Sequence, residues 1–237
     1  MRPLSYTSFS TYRKCPFKYK LRYVDGVPEG PRHYYSFGST LHRSVEFFYK
    51  HFEAPELDEL LGYYDKHWVS AGYGSKEQEM EYKALGTHIL TLFHELNSDN
   101  YLIPLALERS FKMEVEGIPV RGIIDRVDRV GSKLRIIDYK SAKRMPSSRD
   151  VSENQQLTMY QLAVERDFGH EVEKVGIYHL RRLKTIWSPA RTLEEKNQFI
   201  GQLMEVAEGI ESCHFPAVKG YYCQHCDYQL RCPHFRL

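Results

Sequence analysis

The stretch from about residue 105 to residue 140 constrains the fold more than any other. After Pro104 the apolar period drops to two, with Leu107, Arg109, Phe111, Met113 and Val115 alternating with Glu108, Ser110, Lys112 and Glu114. Alternation of this kind marks a strand, whose successive side chains point to opposite faces. Two more strand patterns follow over roughly 119–130 and 133–140, with turn residues Glu116-Gly117 and Gly131-Ser132 between them. Connections this short suit hairpins, so the stretch predicts a three-stranded antiparallel meander.

Helical patterns lie on both sides. "GSTLHRSVEFFYKHF" sets Leu41, Val45, Phe48 and Phe52 at helical spacing and predicts a helix opening near Ser39 or Thr40, with His42 beside the apolar stripe. Two further helical patterns fall within 56–98, separated by the Gly-rich "SAGYGS". Beyond the meander, a capping box Ser152-x-x-Gln155 predicts a helix to about Asp167, and "KVGIYHLRR" reads as one more strand. Thr192-x-x-Glu195 then caps a last helix with an expected buried stripe of Ile200, Leu203, Ala207 and Ile210. The order helix, three strands, helix, strand, helix predicts a mixed α/β core in one domain over 1–237, with a helical insertion at 53–103.

The formal charge of +2 is too mild to announce a nucleic-acid partner, but the charge is segregated. Residues 1–50 carry nine Lys/Arg against three Asp/Glu, residues 133–149 six against one, and residues 53–99 three against ten. That pattern suits a basic groove facing phosphates beside an acidic lobe. No run of eighteen apolar residues occurs, and "MRPLSYTSFS" lacks the apolar core of a signal peptide. The expectation is a soluble, cytoplasmic protein with no membrane partner, in which five cysteines argue against a disulfide framework and leave metal binding open.

The chemistry concentrates on the meander. Asp125 sits on its second strand and Asp138 on its third, a separation of 138 − 125 = 13 residues that a hairpin closes. Two adjacent carboxylates repel unless a cation lies between them, and Mg²⁺ or Mn²⁺ prefers such oxygen donors. Lys140 shares a strand face with Asp138, where an ammonium is placed to orient a water or to stabilise charge on a phosphate. His42 is a nitrogen donor better suited to Mn²⁺, and Glu108 an outer ligand or support. Read alone, each residue also fits a solvated surface or a packed helix edge.

The ordered set Gly38-x-x-x-His42, Gly122-x-x-Asp125, Asp138-x-Lys140 and Gln156-x-x-x-Tyr160 resembles the PD-(D/E)XK nuclease superfamily. The likeness is specifically to its RecB-like branch, which includes the AddB and RecB nuclease domains and the CRISPR-associated RecB-type exonucleases. The resemblance implies a restriction-endonuclease-like core: a central mixed sheet carrying the meander and flanked by helices. It implies metal ligation by His42, Asp125, Asp138 and the backbone carbonyl of Tyr139, a catalytic role for Lys140, and substrate contact by Gln156 and Tyr160. Two departures are visible. Ile124 stands where the superfamily's name has proline, and Asp138 where Glu is commoner.

The resemblance also covers the cysteines. Ser8, Tyr12, Cys15 and Pro16 match the family's opening, and Cys223-x-x-Cys226 with Cys232 completes its layout of one cysteine at the start and three at the end. In that layout Cys15, Cys223, Cys226 and Cys232 bind a 4Fe-4S cluster, and residues 1–30 and 212–237 form a cluster-binding subdomain. The residues themselves leave zinc open, with His214, His225 or His234 as substitute ligands, and Cys213 as a spare thiol.

Arg13, Lys14, Lys18 and Arg22 interleaved with Tyr12, Tyr19 and Tyr23 suit a phosphate-tracking, base-stacking surface, although tyrosines so spaced are also good core residues. Lys143, Arg144 and Arg149 add charge just after Lys140. The resulting expectation is a Mg²⁺- or Mn²⁺-dependent exonuclease acting on single-stranded DNA or DNA ends in repair, recombination or CRISPR adaptation. The alternatives are a non-catalytic DNA-binding module within a larger repair or CRISPR complex, and the same site acting on RNA.

Overall fold

The structure is a computed structural model, and it describes residues 1–235. Five strands form one mixed sheet in sequence order: β1 (Ala106–Val115), β2 (Ile118–Val130), β3 (Lys133–Lys140), β4 (Val172–His179) and β5 (Lys184–Pro189). β2 and β3 pair antiparallel, β3 and β4 parallel, and β4 and β5 antiparallel. A parallel neighbour needs a crossover, and the chain supplies one through helices α6 (Ser148–Ser152) and α7 (Gln155–Phe168), numbered after the five that precede them. The mixed α/β class and the central sheet agree with the sequence reading.

The chain divides into two compact units. The first comprises residues 1–30, 110–122 and 191–237. It holds α1 (Tyr6–Lys14), α2 (Pro16–Tyr19) and α8 (Leu193–Glu211). Phe9 meets Phe199 edge-on at 5.4 Å, and the Tyr12 hydroxyl donates to the His214 carbonyl at 2.6 Å. α8 opens on the expected Thr192/Glu195 capping box. Its buried residues are Phe199, Leu203, Val206 and Ala207, a stripe turned slightly from the one expected.

The second unit comprises residues 31–109 and 123–190. Its core joins α3 (His33–Tyr49), α4 (Leu57–Lys66) and α5 (Lys76–Ser98) to the sheet through Phe37, Leu41, Val45, Phe48, Leu60, Tyr64, Leu90, Phe93, Ile137 and Tyr139. Every third or fourth residue of α3 is in that list, which is what an amphipathic helix against a sheet requires.

Three local expectations need correction. α3 begins at His33, well before Ser39, although its N-cap Arg32 offers no side-chain cap. Tertiary bonds do that work: the His33 amide donates to the Gly72 carbonyl at 3.0 Å and Ser36 Oγ to the Ala71 carbonyl at 2.7 Å. Phe52 lies past the end of α3 and is 93% exposed, so it leaves the predicted stripe. Ser152 closes α6 instead of capping α7; Asn154 does the capping, accepting from the amides of Gln156 and Leu157. β5 was not expected at all.

Candidate active site at the end of the sheet

The β2–β3 register runs as far as Arg126 opposite Ile137, one residue short of Asp125 and Asp138 on the two strands. The two acids are close enough for the Asp138 charge to act on Asp125. Both are buried, Asp138 at 1% exposure. The Tyr139 amide donates to Asp125 Oδ2 at 2.7 Å, locking one acid to the backbone beside the other.

Helix α3 adds His42, whose Nδ1 lies 3.6 Å from Asp125 Oδ2. Burial pushes the imidazole down to about 4, so it is neutral near pH 7 and offers a lone pair rather than an ion pair. β1 adds Glu108, which proves to be more than an outer support. Ligand atoms of His42, Glu108 and Asp125 all lie within 4.8 Å of one another, the one such group among the described residues. Glu108 reaches in because its φ is +43°, a left-handed conformation that interrupts the strand's alternation. Simple alternation set Glu108 opposite Phe111, and no sequence signal announces the twist.

The electrostatics are those of crowded anions. Burial raises Asp125 well above the usual carboxylate range, and the Asp138 charge raises it further, against Lys140 and the Tyr139 amide. Burial, then Glu46, pushes Glu108 up to about 7, opposed by Lys50. Asp138 Oδ2 has Lys140 Nζ at 2.7 Å but no well-directed hydrogen bond, leaving a buried oxygen unsatisfied in its geometry. Several oxygen donors and one neutral imidazole fit a hard or borderline divalent cation, whose charge would reverse each of these carboxylate shifts.

Lys140 is held on two sides. Its ammonium also donates to Gln156 Oε1 at 3.0 Å, and Gln156 Nε2 donates to the Tyr160 hydroxyl at 2.7 Å. The row Asp138, Lys140, Gln156, Tyr160 thus joins β3 to the first turn of α7. Tyr160 is 5% exposed, so the substrate contact expected of it has little surface to act through. The site opens into a cleft of about 790 Å³, lined among others by His42, Glu46, Glu108, Lys140, Lys143 and Arg181.

In the other unit, all five cysteines are free thiols. Burial raises the Cys226 thiol, Lys18 opposes the shift, and the nearby Cys15 and Cys223 thiols add to it. Cys15 is 9% exposed at the bend between α1 and α2, and Cys223, Cys226 and Cys232 are half-buried. The four sulfurs do not form a group with all ligand atoms within 4.8 Å among the described residues. Of residues 221–235 only Tyr228 is buried.

The N-terminal stacking surface is a correction. Tyr12 and Tyr19 are 7% and 1% exposed and pack on one another and on Phe215, so they are core. Lys18 and Arg22 both close on Glu29, at 2.8 and 2.7 Å, so one carboxylate already occupies both cations and offsets part of the charge a phosphate would seek.

The third strand of the mixed sheet offers Asp138 and Lys140 beside half-buried His42 and Glu108 and buried Asp125, a donor set that could hold a metal ion. The sequence profile of the PD-(D/E)XK nuclease superfamily matches residues 3–233, and the chain belongs to that superfamily; it is a nuclease of this class. The Gene 69 protein of Mycobacterium phage D29 is 26% identical over 273 aligned positions, spanning 98% of this chain and 97% of that protein. The Gene 69 protein of Mycobacterium phage L5 is 31% identical over 144 positions, 55% of this chain and 45% of its own length. Among solved structures, a candidate exonuclease from Eubacterium rectale superposes with a TM-score of 0.61 at 14% identity, covering 99% of this chain and 88% of that one. At that identity the likeness speaks for the fold. No helix among the described residues is long and apolar enough to cross a membrane.

Proposed function

We propose that the protein is a divalent-metal-dependent deoxyribonuclease that hydrolyses phosphodiester bonds in single-stranded DNA or at DNA ends. The observation that carries this reading is the convergence of His42, Glu108 and Asp125 within 4.8 Å, with Lys140 bound to Asp138 at 2.7 Å in the same cleft. His42, Glu108, Asp125, Asp138 and the Tyr139 carbonyl are the ligand set, and Mg²⁺ or Mn²⁺ the ion. A cation held there lowers the pKa of a bound water and neutralises charge on the phosphate.

The chain's own groups do the rest. Lys140, tethered between Asp138 and Gln156, presents its ammonium toward the attacking water and the phosphate oxygens. Gln156 positions Lys140, and Tyr160 positions Gln156. The exonuclease name of the Eubacterium rectale neighbour points the same way. The RecB-like likeness is what supports a place in DNA repair, recombination or CRISPR adaptation.

Asp125→Ala, Asp138→Ala and Lys140→Ala should each abolish Mn²⁺-dependent cleavage of end-labelled single-stranded DNA while circular dichroism stays unchanged. Full activity in all three rejects the site. Parallel assays on duplex DNA and RNA read the substrate, and DNA binding without cleavage by the parent protein would favour the non-catalytic module. Two repelling buried carboxylates have no evident use in a binding module.

The terminal cysteines have a second role in this proposal: Cys15, Cys223, Cys226 and Cys232 hold a 4Fe-4S cluster, zinc being the rival. Support comes from Cys15 and Cys223 lying near enough to Cys226 to act on its thiol and from a C-terminal segment with a single buried residue, too little apolar burial to order it alone. A broad visible absorbance with matching iron and sulfide in anaerobically purified protein is the expected result. Colourless protein containing zinc overturns the assignment.

A further inference from the structure

The first turn of α3 carries two adjacent aromatic side chains in solvent. Tyr34 and Tyr35 are 47% and 59% exposed, with ring centroids 4.6 Å apart and planes tilted by 57°. Elsewhere on this helix the aromatic rings of Phe37, Phe48 and Tyr49 are buried. Tyr34 also meets the His33 ring edge-on at 5.5 Å, and about half of each tyrosine still faces solvent.

Both tyrosines line the cleft that holds His42 and Lys140. Tyr35, Gly38, Ser39, His42 and Glu46 recur at three- and four-residue steps, so they form one stripe of α3 facing that cleft, opposite the core stripe of Phe37, Leu41, Val45 and Phe48. From Tyr35 to His42 is seven residues, or roughly 10 Å along the axis. That distance corresponds to about three nucleotides of a stacked strand.

Cations line the same cleft beside the rings. Arg43, Lys143 and Arg181 all contribute to its walls. Arg181 is fixed by its bond to the Ser141 carbonyl at 2.7 Å and by stacking over Phe37. Arg43 and Lys143 are exposed and have no carboxylate within ion-pair distance among the described residues. Paired rings beside cations that track a backbone make up the general architecture of single-strand binding, in which unstacked bases lie on aromatic faces.

We infer that Tyr34 and Tyr35 form a base-stacking subsite that receives unpaired nucleotides a few positions from the bond to be cut, with Arg43 and Lys143 holding the flanking phosphates. A duplex keeps its base faces covered and has nothing to offer the rings, so the subsite selects single strands or frayed ends. This rests on the nuclease reading and names its substrate class.

Anisotropy with labelled oligothymidylate, an abasic strand of equal length and a duplex, all in EDTA to prevent cleavage, tests it. The double variant Tyr34→Ala/Tyr35→Ala should bind oligothymidylate about tenfold or more weakly, while the abasic strand and the duplex bind as to the parent. Tyr34→Phe/Tyr35→Phe should restore the affinity. Arg43→Ala and Lys143→Ala should weaken all three and flatten the salt dependence. Equal oligothymidylate affinity in the double alanine variant, or a parent that prefers the abasic strand, overturns the subsite. Loss of tyrosine-dependent binding together with cleavage that still needs Asp125 and Asp138 would sink the subsite alone. Intact tyrosine-dependent binding without cleavage would sink the nuclease reading alone.

Discussion

At the scale of single residues, Glu108 and Arg126 mark where the site departs from regular strand chemistry. Glu108 holds a positive φ that costs of order 1–3 kcal/mol in a non-glycine residue, and its carboxylate lies within 4.8 Å of ligand atoms of His42 and Asp125. Glu108→Gln keeps the shape and removes the charge. Titration calorimetry should show Mn²⁺ affinity falling about tenfold or more, with little change in melting temperature; unchanged affinity would remove Glu108 from the ligand set. Arg126, next to Asp125, is 7% exposed, bonds Asp128 Oδ1 at 2.6 Å and lies 4.0 Å over the Tyr49 ring. Its NH1 also reaches the Tyr139 hydroxyl at 3.4 Å, so it braces the residue whose amide holds Asp125. Arg126→Met leaves the half-buried Asp128 unpaired and should cost roughly 2–4 kcal/mol in urea unfolding; a loss under 1 kcal/mol would show that ring packing alone carries this corner.

At the scale of elements, α3 delivers His42 and passes Ser141 at Gly38. A Cβ on Gly38 would lie 2.9 Å from Ser141 Oγ, one residue beyond the end of β3, and that hydroxyl must turn aside to admit it. Gly38→Ala should therefore leave cleavage within about twofold of the parent with stability slightly raised, since the helix gains propensity. A several-fold loss that Gly38→Ala/Ser141→Gly recovers would show instead that α3 itself moves and that this contact sets His42. The same elements show what was readable beforehand. The β2–β3 hairpin and the Asp125/Asp138 juxtaposition were legible because strand alternation and a short turn fix register locally. The early start of α3 was not, because backbone partners from Ala71 and Gly72 replace a local cap. β5 escaped notice because "KTIWSP" is short and flanked by charge, and it is ordered by the β4 edge it pairs with. The twist at Glu108 is likewise tertiary.

At the scale of the whole chain, the two ends come together within one unit. The Tyr12 hydroxyl donates to the His214 carbonyl at 2.6 Å, the Phe17 amide to the Pro216 carbonyl at 3.1 Å and the Tyr228 hydroxyl to the Val27 carbonyl at 2.9 Å. Beyond α8 the described residues form two short 3₁₀ turns, Tyr221–His225 and Gln229–Arg231, neither containing a buried residue. Short turns of this kind have weak intrinsic stability, so a covalent or metal link from Cys15 to the C-terminal cysteines would decide whether the segment is ordered. Joining Cys15 to Cys223 closes 223 − 15 = 208 residues and in the chain-entropy model of cross-links removes about 5 kcal/mol of unfolded-state entropy. If the proposed cluster is present, Cys15→Ser and Cys226→Ser should lose the visible absorbance and open residues 212–235 to proteolysis. The β2–β3 hairpin has its own paired backbone and apolar cover and should stay protected from hydrogen exchange in the same variants. If proteolysis of the termini is the same with and without these thiols, the segment is held by Tyr228 and its hydrogen bonds, and the cysteines have no structural task.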